Sequence, residues 1–354
     1  MNKKILAALA AASLFPPGLA AADDGAGGLN IHFYGSLRIH GEHVRPDNRD
    51  EAAGGLGSYT ALRDAYSRLG VAADWAPNPA VEFFGQLELP IDTANLKVQD
   101  PYDQGGFGRD DEENVRVALI GVRGDFGTLQ FGQQWMPYYN AISYPVDMFS
   151  TYYSGFATYA VFRVRDTVAY YSPDFHGLSF AASYSDKRGN VKSTSRIDDS
   201  RTQLTATYAF GDTTVSAGVD DRGSPVGDRD RIWGLSASHQ LGDIYLAAKY
   251  ERFDSDNDSP GAFNRDGNEA FNVFASYTLD QNTFKIMLAD VENYGDTVVH
   301  LGVDHRVNDD LTLFAEYYYE ESTAAITTKR GGLGDFPAGA NGGQVLAAGL
   351  RYNF

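Results

Sequence analysis

The sequence predicts an all-β fold, a transmembrane antiparallel β-barrel of sixteen strands. Three observations carry the prediction. Apolar residues recur at every second position along nearly the whole chain, which is the period of a strand and not of a helix. The connections alternate between tight turns and long polar loops. The final segment, 344–354, puts Leu346, Ala348, Leu350, Tyr352 and Phe354 on one face and Val345, Ala347, Gly349, Arg351 and Asn353 on the other. An apolar, aromatic-ended face backed by a small and polar one suits a strand between lipid and water.

Residues 1–22 read as a secretory signal peptide. Lys3 and Lys4 open it, an apolar stretch too short to span a bilayer follows, and Ala20-Ala21-Ala22 offers a small-residue cleavage site before Asp23. The remainder, 23–354, reads as a single barrel domain. Loss of Lys3 and Lys4 with the leader takes the formal net charge from −18 to −20. That argues against a nucleic-acid partner, which needs a basic face. The chain has no Cys, so disulfides and thiolate metal sites are excluded. No stretch beyond the leader holds 18 consecutive apolar residues, so the membrane is crossed by strands or not at all.

The strands follow from the alternation and the turns between them. They are 31–43, 58–75, 80–91, 112–124, 127–134, 162–172, 177–186, 200–210, 213–221, 230–241, 243–253, 268–279, 282–290, 296–307, 310–320 and 343–354. In the first, Ile31, Phe33, Leu37 and Ile39 face one way and His32, Tyr34, Ser36, Arg38, His40 and Glu42 the other. Tight turns such as Gly211-Asp212, Asp280-Gln281 and Asn308-Asp309 alternate with longer loops at 44–57, 92–111, 135–161, 187–199, 222–229, 254–267, 291–295 and 321–342. Lipid offers no hydrogen bonds to a free edge, so the last strand must close on the first. Sixteen strands leave room for an aqueous channel.

Several segments resemble, in order and spacing, the trimeric sixteen-stranded general diffusion porins of Gram-negative bacteria. They are Tyr34-Gly35, Ser67-Arg68-Leu69-Gly70, Gly85-Gln86-Leu87-Glu88, Gly124-Asp125-Phe126-Gly127-Thr128-Leu129, Arg163-Val164, Tyr171-Ser172-Pro173 and the terminal Tyr352-Asn353-Phe354. The resemblance covers the whole mature length. It implies an outer-membrane location, a homotrimer in contact with lipid and lipopolysaccharide, passive diffusion of small hydrophilic solutes and ions, no cofactor and no enzymatic activity. It also implies that the third loop, 135–161, folds into the barrel and narrows it. That loop holds Tyr138, Tyr139, Tyr144, Phe149, Tyr152, Tyr153, Phe156 and Tyr159, more aromatics than an exposed loop usually carries.

The resemblance carries three wall arginines to Arg68, Arg116 and Arg163, opposed by Asp147 on the third loop. Alternation places each arginine opposite an apolar face: Leu69 and Val71; Val115, Val117 and Leu119; Val164 and Val168. Arg38 and Arg165 share the inward parity and extend the cluster, whereas Glu88, Glu42 and Asp64, also of inward parity, offset it. Relatives usually carry a second loop carboxylate where this chain has Ser150, Thr151 and Tyr152, and many have Arg where Gln133 stands. One loop acid against several arginines predicts a filter that slightly favours anions.

Two other classes are considered. A substrate-specific channel for sugars or anions needs a line of aromatics or a dedicated charge site along the lumen. An outer-membrane enzyme needs a Ser–His pair at the rim, and none is evident. Asp254, Asp256 and Asp258 resemble the start of a calcium loop, but Ser259 and Arg265 occupy positions that need Gly and Glu. They read as a solvated acidic loop in which divalent cations bridging to lipopolysaccharide stay open.

Overall fold

The computed structural model describes residues 28–47, 57–98, 115–186, 200–223, 229–322, 324–326 and 342–354. The predicted leader 1–22 and loop 187–199, and much of loops 92–111 and 321–342, lie outside them. The strands are β1 Leu29–Pro46, β2 Tyr59–Asp64, β3 Ser67–Asn78, β4 Val81–Ile91, β5 Val117–Gly124, β6 Gly127–Trp135, β7 Arg163–Tyr171, β8 Leu178–Asp186, β9 Ser200–Phe210, β10 Thr213–Asp221, β11 Asp230–Leu241, β12 Ile244–Ser255, β13 Glu269–Leu279, β14 Asn282–Val291, β15 Asp296–Arg306, β16 Leu311–Glu320 and β17 Gly343–Asn353. Each pairs antiparallel with its neighbours, and β17 returns to β1 from Ser36 opposite Asn353 to Pro46 opposite Gly343. The sheet is closed.

β2 and β3 both pair with β1 and together make one stave, so the wall has sixteen staves from seventeen segments. The predicted strand 58–75 is interrupted at Ala65-Tyr66, where Tyr66 takes a φ of +65°. Leu62 is outward and exposed and Arg63 buried, yet beyond the break Arg68 lies on the inner side and Leu69 is exposed. The kink has shifted the alternation by one residue.

The outer surface is a sleeve of exposed apolar side chains, from Ile31 and Phe33 on β1 through Leu204, Leu235, Leu246 and Leu288 to Leu346 and Tyr352 on β17. Phe33 is 80% exposed. Mean hydropathy is nevertheless −0.34, because every second residue points inward and is polar. Water does not tolerate so continuous an apolar sleeve, and hydrocarbon does. Among the described residues no helix is long and apolar enough to cross a membrane. At the tight turns Gly211 and Gly242 adopt φ values of +59° and +60°, which an L side chain adopts only under strain.

The segment between β6 and β7 follows the inward face of the wall. It forms short turns at Tyr139–Ser143, Tyr144–Val146 and Tyr153–Phe156. Its Tyr138 amide donates to Gln203 Oε1 on β9 at 2.9 Å. Thr158 Oγ1 and the Tyr159 amide donate to Glu251 on β12 at 2.9 and 3.1 Å. The Ser150 and Thr151 amides donate to Glu316 on β16 at 2.6 and 3.1 Å. Tyr153 donates its hydroxyl to Glu42 on β1 at 2.8 Å. Tyr138, Tyr139, Phe149, Tyr152, Tyr153 and Tyr159 are buried, whereas Tyr144 is exposed. Burial of Ile142 and Phe149 contributes about 1.5–3 kcal/mol each. Glycines in the wall make the close approach possible: a Cβ on Gly234 would lie 2.2 Å from the Tyr138 hydroxyl, and one on Gly302 would lie 3.1 Å from the Phe149 ring.

Candidate functional site

The arginines converge on the arc formed by β1, β3, β5 and β7. Glu88 on β4 is the hub. Arg116 Nε donates to Glu88 Oε1 at 2.9 Å, Arg68 Nε lies 3.6 Å from Oε2, and the Tyr34 hydroxyl donates to Oε2 at 3.1 Å. Gln86 Nε2 donates to that hydroxyl at 2.6 Å and orients it. Trp135 gives the other guanidiniums a face: Arg163 stands 4.7 Å and Arg116 6.0 Å from its ring, and Arg116 also lies 5.1 Å from the Tyr66 ring. Cation–π contact lets the arginines crowd together without one carboxylate each.

Arg116 reaches this cluster by a route the alternation did not foresee. Val117 pairs with the inward Glu88 and is buried, whereas Ile120 is exposed, so Val117 and Leu119 face inward and Ala118 and Ile120 outward. Strict alternation would turn Arg116 to lipid. The strand begins at Val117, however, and the bend at Arg116 lets its side chain swing onto Glu88 while its amide donates to the Glu88 carbonyl at 2.8 Å. β7 is irregular too. Asp166 has a φ of +54° and the β6–β7 register shifts between Gly132 and Gln134, so Val164 is buried with Met136 and Tyr139 while Val168 faces out. Gln133 donates to the Val115 carbonyl at 2.6 Å and so braces the approach to Arg116.

Asp147 is held from within its own loop. Tyr139 donates its hydroxyl to Oδ2 at 2.8 Å and Ser154 donates to Oδ1. Tyr139 also stacks on Trp135 at 5.0 Å, the ring that Arg163 and Arg116 face, and the exposed Tyr144 ring lies edge-on to Tyr139 at 6.2 Å. A chain of contacts through Tyr139 and Trp135 thus joins the loop acid to the arginine arc.

The remaining candidates separate. Arg38 lies on the inner face of β1 with its Nε donating to Ser36 Oγ at 2.9 Å. Arg165 is half-buried in β7. Glu42 is inward but sealed under the loop, with His40, Arg63 and Tyr153 around its carboxylate at 3.2, 3.1 and 2.8 Å. Asp64 is not inward. The kink at Tyr66 puts it out of phase, and its carboxylate ties that kink together by accepting from the Ser67 amide at 2.7 Å and the Thr93 amide at 3.1 Å.

Sequence reasoning missed Arg351, Arg63, Lys249, Lys285, His300, Glu251 and Glu316. All but Arg351, which is half-buried, are buried; Arg63 donates to Glu42, and the other five contact one another or the loop. Lys249 Nζ lies 2.5 Å from Glu251 and donates to the Ala157 carbonyl at 3.0 Å. Lys285 Nζ lies 2.9 Å from Asp304, and the His300 ring approaches Glu316 at 3.1 Å while stacking on Phe149 at 3.6 Å. Their inward parity was the available signal. Asp254 and Asp256 bracket Arg229 at 3.2 and 2.9 Å, and among the described residues no three His, Asp or Glu side chains converge as a metal site.

Comparison with known proteins agrees with this architecture. A family model described as Gram-negative porin matches residues 6–325. The outer membrane porin F of Xenorhabdus nematophila is 24% identical over 92% of both chains. A monosaccharide porin of a Halomonas species is 26% identical over 75% of this chain and 74% of its own. Among solved structures, Salmonella typhi OmpF in complex with daunomycin superposes with a TM-score of 0.67 at 19% identity, covering 92% of this chain and 97% of that one. The trimer form of Vibrio cholerae OmpT superposes with a TM-score of 0.60 at 19% identity, covering 93% of this chain and all of that one. The protein is an outer-membrane channel for passive diffusion of small hydrophilic solutes and ions. With its closed sixteen-stave wall and a family match over most of its length, the chain belongs to the Gram-negative porins.

Proposed function

We propose that the passage is narrowest where segment 136–162 faces the arginine arc, and that Arg68, Arg116 and Arg163 opposite Asp147 set its charge preference. Arg38 and Arg165 extend the positive side and Glu88 partly offsets it. What supports this reading is Tyr139, which donates to Asp147 at 2.8 Å and stacks at 5.0 Å on Trp135, the ring that Arg163 and Arg116 face. Guanidiniums that share one hub carboxylate leave a local positive excess, and a water-filled passage screens it enough to be tolerated. The filter therefore prefers anions modestly, while the acidic chain outside it enriches cations at the mouth. The reversal potential of purified protein under a KCl gradient tests this. A modest anion preference is expected, and a strong cation preference overturns it.

The assembly proposed is a homotrimer in outer-membrane lipid and lipopolysaccharide, one channel per subunit, with no enzymatic activity. A solved neighbour described as a trimer supports it. Conductance steps arriving in threes are the expected signature. Residues 1–22 are proposed to be removed on export, so that N-terminal sequencing of the mature protein begins at Asp23. A sugar-selective reading draws on the Halomonas relative's name and on the exposed Tyr144 ring. Saturable block of current by a monosaccharide would favour it over general diffusion.

A further inference from the structure

The seam where β17 closes on β1 places Arg38 directly opposite Arg351. Like charges in that position repel unless something lies between them. The wall supplies little. Arg38 is bonded to Ser36 Oγ at 2.9 Å and, among the described residues, to no carboxylate. Arg351 has Asp304 Oδ2 at 3.8 Å and Ser150 Oγ at 3.4 Å, and among the described residues its buried Nε has no hydrogen-bond partner. Asp304 is itself held more closely by Lys285, at 2.9 Å. The third guanidinium, Arg68, shares Glu88 with Arg116. Among the described residues Asp147 makes no ion pair with these arginines, and its oxygens accept from Tyr139 and Ser154.

We infer that Arg38, Arg68 and Arg351 form a saturable binding site for a small oxyanion such as inorganic phosphate. The guanidinium fork matches the paired oxygens of an oxyanion, which chloride cannot offer, and a dianion relieves more of the mutual repulsion than a monoanion. The site lies on the inner face of the wall, beside segment 136–162, so every solute crossing the narrow zone passes it. Oxyanions are therefore held briefly in transit, not merely admitted. This rests on the channel reading and goes further by naming a bound solute class.

The test is single-channel recording of the purified full-length protein in KCl, titrated with potassium phosphate at constant ionic strength. Wild type is expected to show current falling along a saturating curve. Arg351→Gln is expected to raise the half-saturating concentration about tenfold, the loss of one charge-assisted, forked contact. Arg351→Lys keeps the charge but lacks the fork, and should raise it by a smaller factor. Arg123→Gln removes the same charge at the far end of β5, where Arg123 Nε donates to Glu82 at 2.9 Å, and should leave half-saturation unchanged. If Arg351→Gln does not insert, Arg38→Gln reads the same site. A linear, unsaturating response in wild type overturns the inference while leaving the channel intact, and so do equal shifts in Arg351→Gln and Arg123→Gln. Absence of any KCl current overturns the channel reading and the site with it.

Discussion

Tyr139 donates its hydroxyl to the Asp147 carboxylate at 2.8 Å, so the one acid between β6 and β7 is fixed by its own segment and not by the arginines it faces. Position and charge are thereby separated: the tyrosine supplies one and the aspartate the other. Asp147→Asn should shift the reversal potential further toward anions. Tyr139→Phe keeps the charge and should leave the sign of selectivity alone while increasing open-channel current noise. Equal selectivity shifts in the two variants would refute the separation.

Glu316, on β16 and so two staves from β1, binds the same segment. It accepts from the Ser150 and Thr151 amides, lies 3.1 Å from the His300 ring and 3.9 Å from Lys285. Glu316→Gln removes one partner of a buried ionic group and, among the described residues, leaves Lys285 with only Asp304 as a close acid. The expected cost is about 3–5 kcal/mol. Thermal unfolding in detergent should show a clear fall in midpoint, with larger and noisier conductance from a looser segment.

Gly234 on β11 is where Tyr138 seats. A Cβ there would lie 2.2 Å from the tyrosine hydroxyl and 2.8 Å from Ile142. Gly234→Ala is expected to cost about 1–3 kcal/mol by overpacking. The double variant Gly234→Ala with Tyr138→Phe, which removes the colliding oxygen, should recover part of that loss. Additive destabilisation in the double variant would count against the contact.

Beyond β12, Asp256 sits outside the membrane-spanning wall, and its carboxyl lies below its ordinary value of 3.8, chiefly because the Arg229 amide donates to it and the Arg229 charge adds to the effect. A carboxyl lowered in the folded state contributes stability above its unfolded value and loses it as pH falls through the folded one. Hydrogen exchange at the Arg229 amide should therefore stay protected at neutral pH and open only in acid below 3.8. Asp256→Asn should weaken the pH dependence of that protection. A profile that is identical in the variant would rule out this carboxylate as the cause.

Most of the wall was legible because a sheet with lipid on one side and water on the other must alternate at period two. Strands such as 200–210 and 213–221 match Ser200–Phe210 and Thr213–Asp221 for that reason. The alternation misled where the backbone leaves regular β geometry. Tyr66 inverts the face of Asp64, and the bend before Val117 turns Arg116 inward against its parity. Such kinks are set by local φ values and by long-range partners such as Glu88, which leave no periodic trace. Arg351 had the inward parity but lay far in sequence from the other arginines. Only closure of β17 on β1 brings it beside Arg38.

The bond from the Ser150 amide to Glu316 joins residues 166 apart in sequence. Tyr153 and Glu42 are joined across 111. Contacts this distant form late, since the intervening chain must first be ordered. The inner segment can then settle only after the last staves are in place, and a newly closed cylinder stands wide open until it does. Premature insertion would make a leak, so the bacterium gains if rounding up and docking of this segment finish together.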